Sequence, residues 1–455
     1  LDSEEIEELR DDDLLSLHLL QRKGKGIYQL HQLIREFISL KIRQQDYNIK
    51  PFQKSFCTVM ANLGASIPEE PTLEDFGEII MAVPHITEVV SPLVDMLPDR
   101  FLIAPFRGLG RFYESQGLYE QAENWYFQCL QESKKRFGSE DLIVATSLSN
   151  LGSIHLTQGN YSQAETYYNK SLKIRESLLR DEHADIASSL NDLALLKKYQ
   201  GEYSTSAGLY SRSLEMRISI YGDFSTETAE SLNNLGLLYS EQGKYEEARS
   251  LLEKSLTIRK QLRGKEHPTV ALSLNNLASL YYSQEKYEEA IQLYTEVLEV
   301  TKKIFGNKHR DVATVLSNLG QSLASQRNYQ KAQVYLLEAL EIRQEILGQE
   351  HPELANTLNN LGALYVDLGK FTEAEKLYKH SLEIRRKVFG ESHMYIANSY
   401  NNLGRCYYLQ HNYQDSEALY MKALKILENG FGTEHPITSM VQENLLEGSS
   451  KIAES

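Results

Sequence analysis

The chain has 455 residues, 41% hydrophobic and 24% charged, with a formal net charge of −15 at pH 7. That acidity, without a basic patch or tail, argues against a nucleic-acid partner, and the length suits two to four ordinary domains or one elongated array. Cys57, Cys129 and Cys406 stand in no paired or metal-ligand spacing, which points to a reducing, cytoplasmic setting without disulfides.

In chain order, the first residues read LDSEE without Met, so a piece of something longer is expected, and no cationic start runs into an apolar leader. "DLLSLHLLQRKGKGIYQLHQLIREFISLKIRQ" at 13–44 predicts a helix, a Lys/Gly turn, a short strand and a second helix. Residues 47–103 read as a helical connector. Their most apolar stretch, 79–97, is broken by Pro84, Glu88, Pro92 and Asp95 and is unfit to span a membrane.

From residue 104 a repeat takes over. Leu-Gly or Leu-Ala recurs every 42 residues, at Leu109, Leu151, Leu193, Leu235, Leu277, Leu319, Leu361 and Leu403. In the same register runs an aromatic residue, from Tyr119 to Tyr413, followed three positions later by a small one, from Ala122 to Ser416. Within one copy Leu274, Leu277, Ala278 and Tyr281 fall on one helix face, and Ala290, Tyr294 and Leu298 mark a second helix. The break between them usually carries Gly, suited to a left-handed C-cap, and Pro268 can occupy the first turn of a helix. Neither helix buries its apolar stripe alone, so stacked hairpins must share a core. The expected fold is all-α: eight hairpins and a capping helix over 104–446 in a right-handed α-solenoid, then a disordered tail at 447–455.

This pattern resembles the tetratricopeptide repeat. The 42-residue period and the Gly-x-x-His-Pro connector, as in "RGKEHPTVA" at 263–271, are most similar to the kinesin light chain subtype. The segment at 13–44 resembles the end of the winged-helix domain of STAND ATPases of the NB-ARC type, which makes residues 1–46 a remnant of such a domain. In that family a Met-His-Asp-like segment precedes the last helix, and its His faces the β-phosphate of bound ADP. Here the positions read Leu30-His31-Gln32, so the resemblance implies His31 as a nucleotide sensor in a longer parent. No GxxxxGK[ST] loop occurs in these residues, so the chain is expected to be no enzyme and to need no cofactor. Oligomerisation would come only through an upstream ATPase domain.

Six histidines share one register (His183, His267, His309, His351, His393 and His435), each where a connector enters a helix. Ligands a whole repeat apart cannot converge on a metal, so connector hydrogen bonding is the expectation. Tyr239, Tyr281, Tyr365 and Tyr407 read as packing between hairpins, with no Lys or Arg interleaved on that face.

The asparagines suggest a site. At 100° per residue Asn276 points away from its helix's core direction, toward the concave wall that first helices line in a right-handed stack. That position reads Asn150, Asp192, Asn234, Asn276, Asn318, Asn360 and Asn402. An amide side chain offers one acceptor and two donors, which suits the backbone of an extended peptide. The adjacent Asn191, Asn233, Asn275, Asn359 and Asn401 point closer to the neighbouring repeat and read as braces. Arg111 and Arg405 are cationic footholds at the two ends. The predicted function is a protein–protein interaction module taking an extended segment in its groove, either as the sensor region of a STAND-type ATPase or as a stand-alone adaptor resembling kinesin light chain. Neither a nucleic acid nor a membrane is an expected partner.

Overall fold

The computed structural model describes residues 20–24, 27–30, 50–68, 73–433 and 435–454. Strands β1 (Leu20–Gly24) and β2 (Ile27–Leu30) pair antiparallel, with Leu20 opposite Leu30 and Arg22 opposite Tyr28. The sequence pattern predicts the end of a helix and a turn where β1 lies. The runs on the two sides of the Lys/Gly segment pair with each other as a hairpin instead. His31 and the helices expected on either side of this hairpin lie outside the described residues.

Helices α1 (Lys50–Ser66) and α2 (Leu73–Val90) follow, then two short 3-10 turns at Val94–Met96 and Asp99–Phe101. They join the array through a core that includes Cys57, Ile86, Val89, Leu102 and Phe106. Here two backbones nearly touch: a Cβ on Gly108 would lie 2.5 Å from the Gly64 carbonyl oxygen. Only glycine fits that crossing.

Eight helical hairpins come next. Their first helices are Ile103–Glu114, Leu142–Thr157, Ala184–Tyr199, Thr226–Glu241, Pro268–Ser283, Arg310–Ser325, Pro352–Asp367 and Met394–Leu409. Their second helices are Tyr119–Phe137, Tyr161–Leu178, Tyr203–Tyr221, Tyr245–Arg263, Tyr287–Phe305, Tyr329–Leu347, Phe371–Phe389 and Tyr413–Phe431. The predicted stripes are the buried ones: Leu274, Leu277 and Ala278 on one helix meet Ala290, Tyr294 and Leu298 on its partner within a core shared by several repeats. Each turn inside a hairpin needs one left-handed residue. Gly243 supplies it at φ 73°, and Glu285, Arg327 and His411 adopt the same conformation at φ 60–63° where glycine is missing.

Successive first helices touch one another, whereas successive second helices share no comparable contact. The array therefore curves with its first helices on the inner wall. A capping helix, Pro436–Glu454, closes the end. Of the tail expected to be disordered at 447–455, the part as far as Glu454 belongs to this helix, which docks on the last hairpin. Tyr408 donates to Glu447 at 2.9 Å, and Ser449 donates to Glu417 at 2.6 Å.

Candidate binding groove

The asparagines form one ladder rather than two separate series. The second asparagine of a pair donates its amide to the first asparagine of the preceding repeat: Asn234 to Asn191 at 2.9 Å, Asn276 to Asn233 at 2.8 Å, Asn318 to Asn275 at 3.0 Å and Asn402 to Asn359 at 2.8 Å. Asn444 of the cap extends it to Asn401 at 2.9 Å. The brace role expected for Asn191, Asn233, Asn275, Asn359 and Asn401 is thus met, but their partners are the residues assigned to the groove. Asn276 is buried and the other donors are half-buried, so the groove reading holds at most for their carbonyl oxygens. Each oxygen retains acceptor capacity after the amide is engaged.

The ladder has gaps. Ser317 stands where Asn360 would find its acceptor, and Arg107 stands in the matching place for Asn150, whose buried amide has no hydrogen-bond partner. Arg111 donates to the Ile67 carbonyl at 3.3 Å and so ties the connector to the first hairpin. Arg405 is exposed at the other end, near Asp367. Exposed positions on the inner face lie three residues after the ladder, at Ser153, Ala363 and Arg405. The tyrosines pack between hairpins as expected, but the turns do place cations over them: Lys244, Lys286 and Lys370 lie 5.2–5.9 Å from the rings of Tyr239, Tyr281 and Tyr365.

Asp192 interrupts the ladder chemically. A carboxylate has no amide hydrogen to give to Ser149, which holds the position of the brace. Burial pushes the Asp192 carboxyl up to about 7, with Glu230 adding to the shift and Arg175 and Arg217 opposing it. The folded chain keeps this proton at pH values where an unfolded carboxyl has lost it, so stability falls as pH rises from about 4 to 7. Asp192→Asn is expected to stabilise the array by about 1–2 kcal/mol at pH 8 and by much less near pH 5. Thermal melts at the two pH values check this; an equal gain at both would rule out the ionised carboxylate as its source.

A second register escaped the sequence reading although its period was visible. Arg175, Arg217, Arg259, Arg343 and Arg385 are 5–6% exposed, each near the end of a second helix. Arg175, Arg259 and Arg385 donate to a main-chain carbonyl and a serine of the next first helix, Arg385 to Tyr395 at 3.2 Å and Ser399 at 2.7 Å. Arg385 also donates to Asn356 at 2.9 Å, on the first helix of its own hairpin. Burial lowers the pKa of the Arg175, Arg259, Arg343 and Arg385 guanidiniums, that of Arg385 to about 10. One residue thus bolts three helices.

All six register histidines cap helices, as expected. Each Nδ1 accepts from the main-chain N–H two residues on, at 3.1–3.3 Å. Accepting there leaves the proton on Nε2. In the last three copies that proton serves a contact the sequence did not reveal, because the coil returns on itself. His351 Nε2 lies 3.1 Å from the Ser115 carbonyl oxygen, and His393 and His435 bond in the same way to the main chain of Thr157 and Tyr199. Tyr119 packs on Phe389, Tyr161 packs on Phe431, and the Tyr161 hydroxyl lies 3.4 Å from Met394 Sδ. The first three hairpins are thereby clasped to the last two and the cap. A cavity of about 390 Å³ remains along this seam, lined by Glu114, Ser153, Tyr199, Asn356 and Tyr395 among others.

Among the described residues no group of three His, Cys, Asp or Glu could hold a metal ion, and no helix is long and apolar enough to cross a membrane. Hairpins on a curved inner wall define an α-solenoid interaction scaffold. The tetratricopeptide repeat family model matches residues 102–177 and then, in overlapping segments from 185–261 to 395–446, the rest of the array. The chain belongs to the tetratricopeptide repeat family. Among solved structures it is similar to BtubC (BKLC) from P. vanneervenii, at 23% identity over 50% of this chain and 91% of that one, with a TM-score of 0.43. It is also similar to a putative kinesin light chain with nearly identical repeats from Podosopora anserina, at 23% identity over 45% and 97%, with a TM-score of 0.37. A Rap protein complexed with Competence and Sporulation Factor matches at 15% identity over 78% and 98%, with a TM-score of 0.49. No curated protein matches the chain.

Proposed function

We propose that the inner wall captures an extended protein segment. The observation that carries this reading is the run of first helices along the inner wall, with small exposed side chains at Ser153 and Ala363 set beside the asparagine rungs. Such a surface leaves room for a backbone and offers acceptors to its N–H groups. The contacting register is Asn150, Asp192, Asn234, Asn276, Asn318, Asn360 and Asn402, with Arg111 and Arg405 at its ends. Because the ladder supports the fold, alanine at its rungs would confuse binding with stability. A photo-cross-linking residue at Ala363 is the cleaner probe, compared with one at Val334, 62% exposed on a second helix. Adducts with a partner protein are expected from position 363 and not from 334; adducts from 334 alone would overturn the reading.

The finer proposal is that this array is the sensor region of a STAND-type signalling ATPase in the cytoplasm, with His31 facing nucleotide in a longer parent. What supports it is the sequence Leu30-His31-Gln32, whose Leu30 is the last residue of strand β2. The other reading, a stand-alone adaptor, is favoured by the 42-residue period and the connector motif. A P-loop in the parent sequence upstream of Leu1 would decide for the first, and its absence for the second.

A further inference from the structure

The arginine register breaks once inside the array. Thr301 holds the position between Arg259 and Arg343, and its hydroxyl turns back to the Val297 carbonyl at 2.6 Å. The groups that receive the guanidinium elsewhere change with it. Val315 replaces the serine or threonine found at Ser189, Ser231, Ser273, Thr357 and Ser399, and Leu272 replaces the polar residue found at Thr146, Thr314 and Asn356. Val297 likewise stands where Ser171, Ser213, Ser255 and Ser381 bond to a first-helix carbonyl. One joint has exchanged its polar bolt for apolar side chains.

The exchange leaves space. At the last joint a similar loss is made good by size, since Leu427 and Val441 are both fully buried. Thr301 is too short to do the same, and a recess of about 570 Å³ opens at this joint. Its floor is Val297, Thr301 and Val315, and Leu272 forms a lip that is 50% exposed. Around the rim Asp311 and Glu353 face Arg310 and Arg343, with Glu353 in ion-pair contact with both arginines. Two charges of each sign leave no net field to recruit a charged residue.

We propose that this recess takes one apolar side chain (leucine, isoleucine, methionine or phenylalanine) of an extended protein segment, with uncharged residues on either side of it. The proposal rests on the inner wall being the ligand groove and adds where the segment is anchored. An apolar floor removed from water rewards a buried aliphatic or aromatic group, and the balanced rim penalises a charged neighbour that cannot be paired.

The test uses a phage-displayed library of random dodecapeptides, selected on the wild-type chain and on Val297→Ser/Thr301→Arg/Val315→Ser, which restores the bolt. The wild type is expected to enrich peptides sharing an apolar residue at one position, and the synthetic peptides to bind the triple variant at least about tenfold more weakly. Circular dichroism melts report whether the triple variant folds. If it does not, Leu272→Asn decides, since asparagine already holds that register at Asn356 and Asn398; a loss of about three- to tenfold is expected. Equal affinity for wild type and variants, or a charged residue at the shared position, would overturn the recess while leaving the groove. Failure of the wild type to enrich any peptide would overturn the groove reading and the recess together.

Discussion

Acidification to about pH 5 is expected to part the first three hairpins from the last two and the cap, seen as an increased radius of gyration in small-angle X-ray scattering. His351, His393 and His435 use both ring nitrogens, one accepting at a helix start and one donating across the seam. A second proton has no place in that arrangement. Burial accordingly lowers all three pKa values, that of His393 to about 4. The facing charges are mixed: Glu353 favours protonation of His351, while Arg310 and Arg343 oppose it, as Arg385 does at His393. The clasped form therefore binds fewer protons than the open one. Its advantage is complete above the ordinary histidine range near 6.5 and is lost as pH falls toward 4; for His393 alone this is about 2–3 kcal/mol. The variant His351→Ser/His393→Ser/His435→Ser keeps a capping group, as Ser225 does in the fourth hairpin, but cannot reach across. It should be open at every pH. A variant that stays compact and still expands in acid would place the switch elsewhere.

Asn276→Leu is expected to lower stability by about 2–3 kcal/mol, because it strands the buried side-chain carbonyl oxygen of Asn233, which accepts from the Asn276 amide. Asn233→Leu should cost a similar amount. The double variant should cost much less than the sum, since an apolar pair leaves nothing unsatisfied. Urea titrations of the three proteins give the coupling; strictly additive shifts in midpoint would mean that the rung contributes nothing as a pair. The effect should also be local, because neighbouring repeats touch chiefly each other.

Much of this was legible in the sequence, and the exceptions share a cause. The 42-residue period, the buried stripes, the left-handed turn residues and the histidine caps all depend on neighbours within about one repeat, where residue spacing determines geometry. A 100° rotation per residue set Asn276 off its own helix's core stripe, on the side of the concave wall. It could not say that the amide meets Asn233, because that distance depends on how two hairpins are tilted against each other. The same limit hid the arginine bolts: their period was in plain view, but a charged residue in a helix reads as solvated until a third helix is laid over it. The seam lay further still from the sequence. Whether Ser115 meets His351 depends on small inter-repeat rotations accumulated over more than five repeats. The sequence by itself determined the repeat, its core and its caps, because these are local. Only the tertiary structure decided which polar side chains brace neighbouring hairpins, where one joint was left open, and that the coil closes on itself.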